Sequence, residues 1–375
     1  MMKLPGTLTA ESFLARYWQD DHLFMPQALP HVRPSISRNE LGWLATLDDV
    51  ESRLVFTERG KERTRYVAET GPFDADYLAA LPRRDWTLLV HDVEKHLPAM
   101  RKLFAYVPFV PEWRIDDLMV SFAAPGGGVG PHRDNYDVFL CQGVGVREWR
   151  VSSEDITHDP AASDDLALTE EFAGERYEAR EGDVLYLPPG VVHWGTAHRA
   201  CVTYSIGMRA PQLSDLGDEL PDAAGENPFY TDKDLGVNES TTGYIAPASV
   251  RRAMHLLQSD KDSFERTALA LGRFATETKD WITPETLSDD EAASVLTALK
   301  RGAKLNIHGM ARIAFDDRNL YVNGRSMALP ANARAWIAET CARRRYSGQA
   351  RTVDRWQDCL TWMLKKGAFE IPEEI

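Results

Sequence analysis

The sequence predicts a mostly β body, a barrel of the jelly-roll or cupin type over residues 115–210, with helical parts following it. Three observations carry this. Between 115 and 210 the apolar residues show no helical period, short apolar or alternating runs recur instead, and Gly and Pro turn formers separate them.

In chain order, residues 10–18 read as an amphipathic segment and 52–56 as a strand. Residues 115–122 form a strand, 124–131 a loop rich in Gly and Pro, and 136–142 another strand. A tight turn at 143–145 leads into a strand at 147–151. The turn 181–183, the buried strand 184–187, the turn 188–190 and the strand 201–207 complete the barrel. Beyond it, 253–257 and 264–274 are helical in pattern. Ser288 with Asp289, Asp290 and Glu291 opens a further helix, 311–315 and 320–322 are strands, Asn323-Gly324 is a hairpin turn, and a final helix holds Trp356 and Trp362. These elements divide the chain into 1–210, 211–287 and 288–375.

The chemistry lies in G-P-H-R-D at 130–134, answered by P-P-G-V-V-H at 188–193. Residues two apart on a strand share a face, so His132 and Asp134 can close on one metal ion while Arg133 points away, and His193 arrives from a later strand. Two imidazoles and one carboxylate on one side of an octahedron leave positions open for a chelating co-substrate and dioxygen, the arrangement of Fe(II) oxygenases. An H-x-D alone is weak, because surface His-Asp pairs are common; the β context on both sides is what makes it a site.

The run from Trp113 to Pro211 carries P-G-G-G-V-G-P-H-x-D, Q-G-x-G, G-D-x-L-Y-x-P-P-G-x-x-H and T-Y-S-I-G-M-R-A-P. With these motifs it resembles the bacterial ribosomal oxygenases, in the cupin/JmjC branch of the 2-oxoglutarate oxygenases. The resemblance implies a double-stranded β-helix catalytic domain and a helical dimerisation region at 211–287, for which a simple interdomain spacer is the alternative; the helices with a small hairpin at 288–375 resemble a winged-helix module, which does not by itself make it a DNA reader. It implies hydroxylation of an arginine, at its β-carbon, in a large-subunit ribosomal protein, with Fe(II) as cofactor and 2-oxoglutarate and O2 as co-substrates. His132, Asp134 and His193 match the iron ligands. Arg147 matches the residue that takes the distal carboxylate of 2-oxoglutarate, a task for a planar guanidinium. Arg150 is its rival, placed on the other strand face by parity. Thr203 would help to position the co-substrate. Asp117 and Ser205 would hold the substrate guanidinium, and Tyr136 and Met119 would flank its methylenes. The alternative for these last two is ordinary core packing, and for Asp117 a strand-end cap.

The net charge is −14, divided into +5 over residues 301–375 and −19 over the rest. An acidic body suits a basic ribosomal protein and repels free nucleic acid. Arg343-Arg344-Arg345 is the exception, read as solvated or structurally paired helix charge with RNA contact as the alternative. Four cysteines without C-x-x-C spacing predict buried thiols, neither a zinc site nor a disulfide framework. His198, five residues after His193, reads as a loop histidine. The opening residues lack the apolar stretch of a secretory signal, and no run of about 18 apolar residues predicts a membrane span. A cytoplasmic protein is expected, and the resemblance implies a homodimer. Outside this reading stand a histidyl hydroxylase or demethylase, a non-oxidative cupin binding module, and a nucleic-acid-binding regulator.

Overall fold

The computed structural model describes the chain except residues 1, 62, 155, 158–169, 218–226, 240–241, 259–262, 280–285, 331, 348–349 and 373–375. His158 and most of the polar run before Asn227 thus lie outside the described residues. The chain splits into two compact units. One holds Met1–Pro108, Ile115–Arg209 and Lys233–Leu235, and the other holds Phe109–Arg114, Ala210–Asp232 and Gly236–Ile375.

Among its described residues the first unit contains twelve strands: β1 (Leu23–Met25), β2 (Ser52–Arg59), β3 (Thr64–Thr70), β4 (Trp86–Val90), β5 (Ile115–Ala123), β6 (His132–Arg133), β7 (Val138–Gln142), β8 (Val146–Ser152), β9 (Glu175–Arg180), β10 (Val184–Leu187), β11 (Val192–Ala197) and β12 (Cys201–Met208). They form an eight-stranded sheet, β1-β10-β7-β12-β5-β4-β2-β3, and a four-stranded sheet, β6-β11-β8-β9. Every pairing is antiparallel. From β5 to β12 the chain passes repeatedly from one sheet to the other, which is the jelly-roll path the turn spacing predicts.

Strand parity sorts the side chains. Val138, Leu140, Trp149, Val151, Leu185 and Leu187 meet in the barrel core. Phe139 and Tyr186, on the opposite strand faces, pack instead on Phe13 of the helix Ala10–Arg16, at ring-centroid distances of 5.9 and 5.1 Å. This second layer explains why β7, β10 and β12 are buried along their whole length and lack an alternating pattern. The helix is held by a Thr9–Ser12 capping box.

Gly195 on β11 is a packing requirement. A Cβ there would lie 2.5 Å from the Trp149 ring, and that ring stands 6.0 Å from the His193 ring. Gly195→Ala is therefore expected to destabilise the protein by roughly 1–3 kcal/mol and to lower metal affinity by displacing His193. A urea titration and a metal-binding isotherm on the same variant check both.

In the second unit the helices Pro247–Leu256 and Phe264–Thr276 bury Val250, Ala253, Ala268, Leu271 and Ala275 against Ala314 and Tyr321. A separate core joins the helices Asp289–Lys300, Arg334–Arg343 and Gln357–Lys365. Asn323 and Gly324 both have positive φ, as the predicted hairpin turn requires. The final helix differs from expectation. It breaks into Ala350–Arg355 and Gln357–Lys365, because Trp356 leaves helical geometry (φ −115°, ψ 22°) and its ring stacks on Trp336 at 5.6 Å. The Arg343–Arg345 cluster is likewise not one helix face. Arg343 ends the helix and pairs with Glu339 at 3.1 Å, Arg344 turns left-handed and donates to the His308 carbonyl, and Arg345 enters a strand. All four cysteines are buried and outside any disulfide. Among the described residues no helix is long and apolar enough to cross a membrane.

Candidate active site

β6 and β11 place His132 directly opposite His193, with ring centroids 4.1 Å apart. Asp134 follows β6 on the His132 side, and its Oδ2 lies 3.6 Å from His193 Nε2. One donor atom from each of the three lies within 4.8 Å of the others. The backbone sets the imidazole tautomers. His132 Nδ1 is 3.0 Å from the Gly130 carbonyl and His193 Nδ1 is 3.1 Å from the Val191 carbonyl, so each Nδ1–H donates and each Nε2 keeps its lone pair for a metal. Burial, reinforced by the adjacent His132, pushes His193 down to about 4, so it is neutral and able to ligate at pH 7. The Pro188-Pro189-Gly190 turn is tied to the same point, since Gly190 N–H donates to the Asp134 carbonyl at 2.7 Å.

These side chains line a cavity of about 310 Å³. From β8 it receives Arg147, which is only 6% exposed. The Arg147 guanidinium stands 5.4 Å from the Trp149 ring centroid, and its Nε and one terminal nitrogen have no hydrogen-bond partner among the described residues. A buried cation with unmatched donors costs several kcal/mol unless an anion completes it. Arg150 lies on the other face of β8, over the Trp194 ring at 4.6 Å and donating to Glu148. Parity thus separates the two arginines. His198 lies outside the cavity, within 3.8 Å of Glu148 and Glu178.

On another part of the wall stand Asp117, Met119, Tyr136 and Ser205. Asp117 and Met119 project from β5, and Ser205 faces Met119 across the β12 pairing. Asp117 is 7% exposed and lies within β5, not at a strand end. Tyr136 is 40% exposed, so it is not an ordinary core residue. Gly207 opens the space between, because a Cβ there would come within 3.2 Å of Asp117 Oδ1 and 3.9 Å of the Tyr136 ring. Thr203 shares the Ser205 face of β12 but is absent from the cavity wall, and its hydroxyl donates to Gln142 at 3.2 Å. Sequence reasoning missed His91, whose Nδ1 lies 3.1 Å from Asp117 Oδ2. No motif surrounds it; an apolar run at 86–90 was the available hint that a strand ends there.

A family model described as a JmjC domain matches residues 102–216, and one described as an AraC-like ligand binding domain matches 169–271. The chain is 32% identical over 346 residues to the ribosomal protein uL16 3-hydroxylase of Escherichia coli K12, an alignment covering 88% of each chain. The chain belongs to the bacterial ribosomal oxygenases of the JmjC family. Solved structures of this ribosomal oxygenase family agree across both units. The X-ray structure of E. coli YcfD matches with a TM-score of 0.72 at 27% identity, covering 98% of this chain and 100% of that one. YcfD in complex with cobalt and 2-oxoglutarate matches with a TM-score of 0.69 at 28% identity over 99% of each. The expected family and the mostly β JmjC/cupin core are therefore borne out.

Proposed function

We propose that this ribosomal oxygenase hydroxylates an arginine side chain, at its β-carbon, in a protein of the large ribosomal subunit. His132, Asp134 and His193 hold iron(II), and Arg147 takes the distal carboxylate of 2-oxoglutarate. The single observation that carries this is Arg147 itself: a buried guanidinium with unmatched donors in the same cavity as a His-Asp-His trio. A non-oxidative cupin has no use for that cation. Iron(II) with 2-oxoglutarate and O2 supplies the oxidation, leaving succinate and carbon dioxide.

The chain's own contribution is placement and dryness. Arg147 orients a dicarboxylate by two parallel hydrogen bonds, while Trp149, Val138 and Leu140 give the cavity an apolar wall. Asp117 and Ser205 receive the cationic head of the substrate, with Tyr136 and Met119 along its stem. The buried carboxylate of Asp117 favours a guanidinium over an imidazole or methylated amine, which supports arginine over the histidyl and demethylase alternatives. The acidic body complements a basic ribosomal protein. Two of the three arginines at 343–345 are engaged within their own unit, which favours protein over RNA as partner. We further assign residues 211–287 to a homodimerising region and 288–375 to a winged-helix module, in an enzyme working in the cytoplasm where ribosomes assemble.

Intact mass spectrometry of large-subunit ribosomal proteins, incubated with the enzyme, iron(II) and 2-oxoglutarate, tests the proposal. One of them is expected to gain a single oxygen atom on an arginine. A gain on histidine, or no gain in any of them, overturns it.

A further inference from the structure

We propose that His91 is a positioning residue for Asp117, and that its hydrogen bond sets the strength with which the cavity recognises a guanidinium. The inference rests on the arginine reading above and adds a residue to it. His91 follows β4 and lines the cavity. Its Nδ1 lies 3.1 Å from Asp117 Oδ2, and because a carboxylate only accepts, the imidazole is the donor. The Asp92 backbone N–H reaches the same oxygen at 3.3 Å. Two donors therefore converge on Oδ2, while Oδ1 lies on the Gly207 side, within 3.2 Å of where a Cβ on that residue would stand. That is the space bounded by Tyr136.

The backbone supports the same reading. Asp92 is held at φ 54°, a left-handed conformation uncommon for a non-glycine residue, and its N–H reaches Asp117. Around the pair, Lys95 is ion-paired with Asp92, and Glu94 accepts the Leu118 N–H at 3.0 Å with its carboxyl pushed up to about 7 by burial. On the other side Asp116 lies 3.7 Å from Arg209. Oδ2 of Asp117 is thus anchored by two donors, with Oδ1 on the Gly207 side of the cavity. An anchored carboxylate keeps Oδ1 aimed at one place, where it can accept from a guanidinium N–H, whereas a freely rotating carboxylate holds no such aim.

The experiment uses the full chain and a synthetic peptide spanning the arginine hydroxylated in the mass experiment, with a second peptide carrying citrulline in its place. In His91→Ala the Kd for the arginine peptide is expected to rise about tenfold, with little change for citrulline. His91→Asn, which keeps a side-chain donor, should recover most of the loss. Adding His91→Ala to Asp117→Ala should weaken binding no further, as coupled residues behave. An unchanged Kd in His91→Ala, equal losses on both peptides, or additive losses in the double variant overturn the inference while leaving the arginine slot intact. If Asp117→Ala itself binds and hydroxylates the arginine peptide normally, the slot falls and the role of His91 with it.

Discussion

Replacing Arg147 by methionine is expected to weaken 2-oxoglutarate binding severely while making the ligand-free protein more stable. The two effects have one cause. Arg147 is buried, with Nε and a terminal nitrogen unpaired among the described residues, and no described anion offsets its desolvation there. Exchange of poorly compensated buried charge for an apolar side chain of similar volume typically stabilises by about 1–4 kcal/mol. The contact with Trp149 that is lost with the guanidinium returns only about 0.5–2 kcal/mol of that. Binding runs the other way. Without the guanidinium a buried carboxylate has no counter-charge, and the KM for 2-oxoglutarate should rise by at least about a hundredfold, from a loss of roughly 3 kcal/mol or more. Arg147→Lys should fall between, since it keeps charge but loses the planar fork. Urea unfolding without metal, together with succinate release against 2-oxoglutarate concentration, reads both. A methionine variant that is less stable than the parent, or that keeps its co-substrate KM, would show that Arg147 is a structural cation.

The separation of Arg147 from Arg150 was legible in the sequence because a strand alternates its faces, so three residues of spacing suffice to put one inside and one outside. The same applies to His132 and Asp134, and the Gly and Pro turns marked most of the barrel strands between 115 and 208. What stayed hidden has physical reasons. β9 reads Glu-Arg-Tyr-Glu-Ala-Arg, an edge strand of the smaller sheet with one face in solvent, and carries too few apolar residues to announce itself. The extension of the larger sheet by β4, β2 and β3 depends on pairings between residues far apart in the chain, which no local pattern encodes. His91 was invisible on the same ground: only the β4–β5 pairing brings it beside Asp117. The break at Trp356 escaped notice because a helical period continues on both sides of it, and what interrupts it is a tertiary contact with Trp336.

His132→Ala should remove hydroxylation altogether, whereas His198→Ala should leave it untouched. Both histidines lie near His193, one across a strand pair and one farther along the chain, and the contrast between them isolates the metal from general electrostatics. His132 supplies one of three donors held within 4.8 Å of each other. Its loss leaves one imidazole and one carboxylate, too few to retain a ferrous ion against water. Removing a group that merely orients a metal ligand already costs about 10–100-fold in affinity, and removal of the ligand itself should exceed that. His198 is half exposed beside Glu148 and Glu178, where such contacts contribute about 0–1 kcal/mol. Cobalt(II) titration followed by visible absorption reads the metal without requiring turnover, and intact mass of the substrate reads the reaction. If the His132 variant still bound cobalt tightly and still added oxygen, the ion would have to be held by donors other than this trio, and Arg147 would then face a cavity with no metal in it.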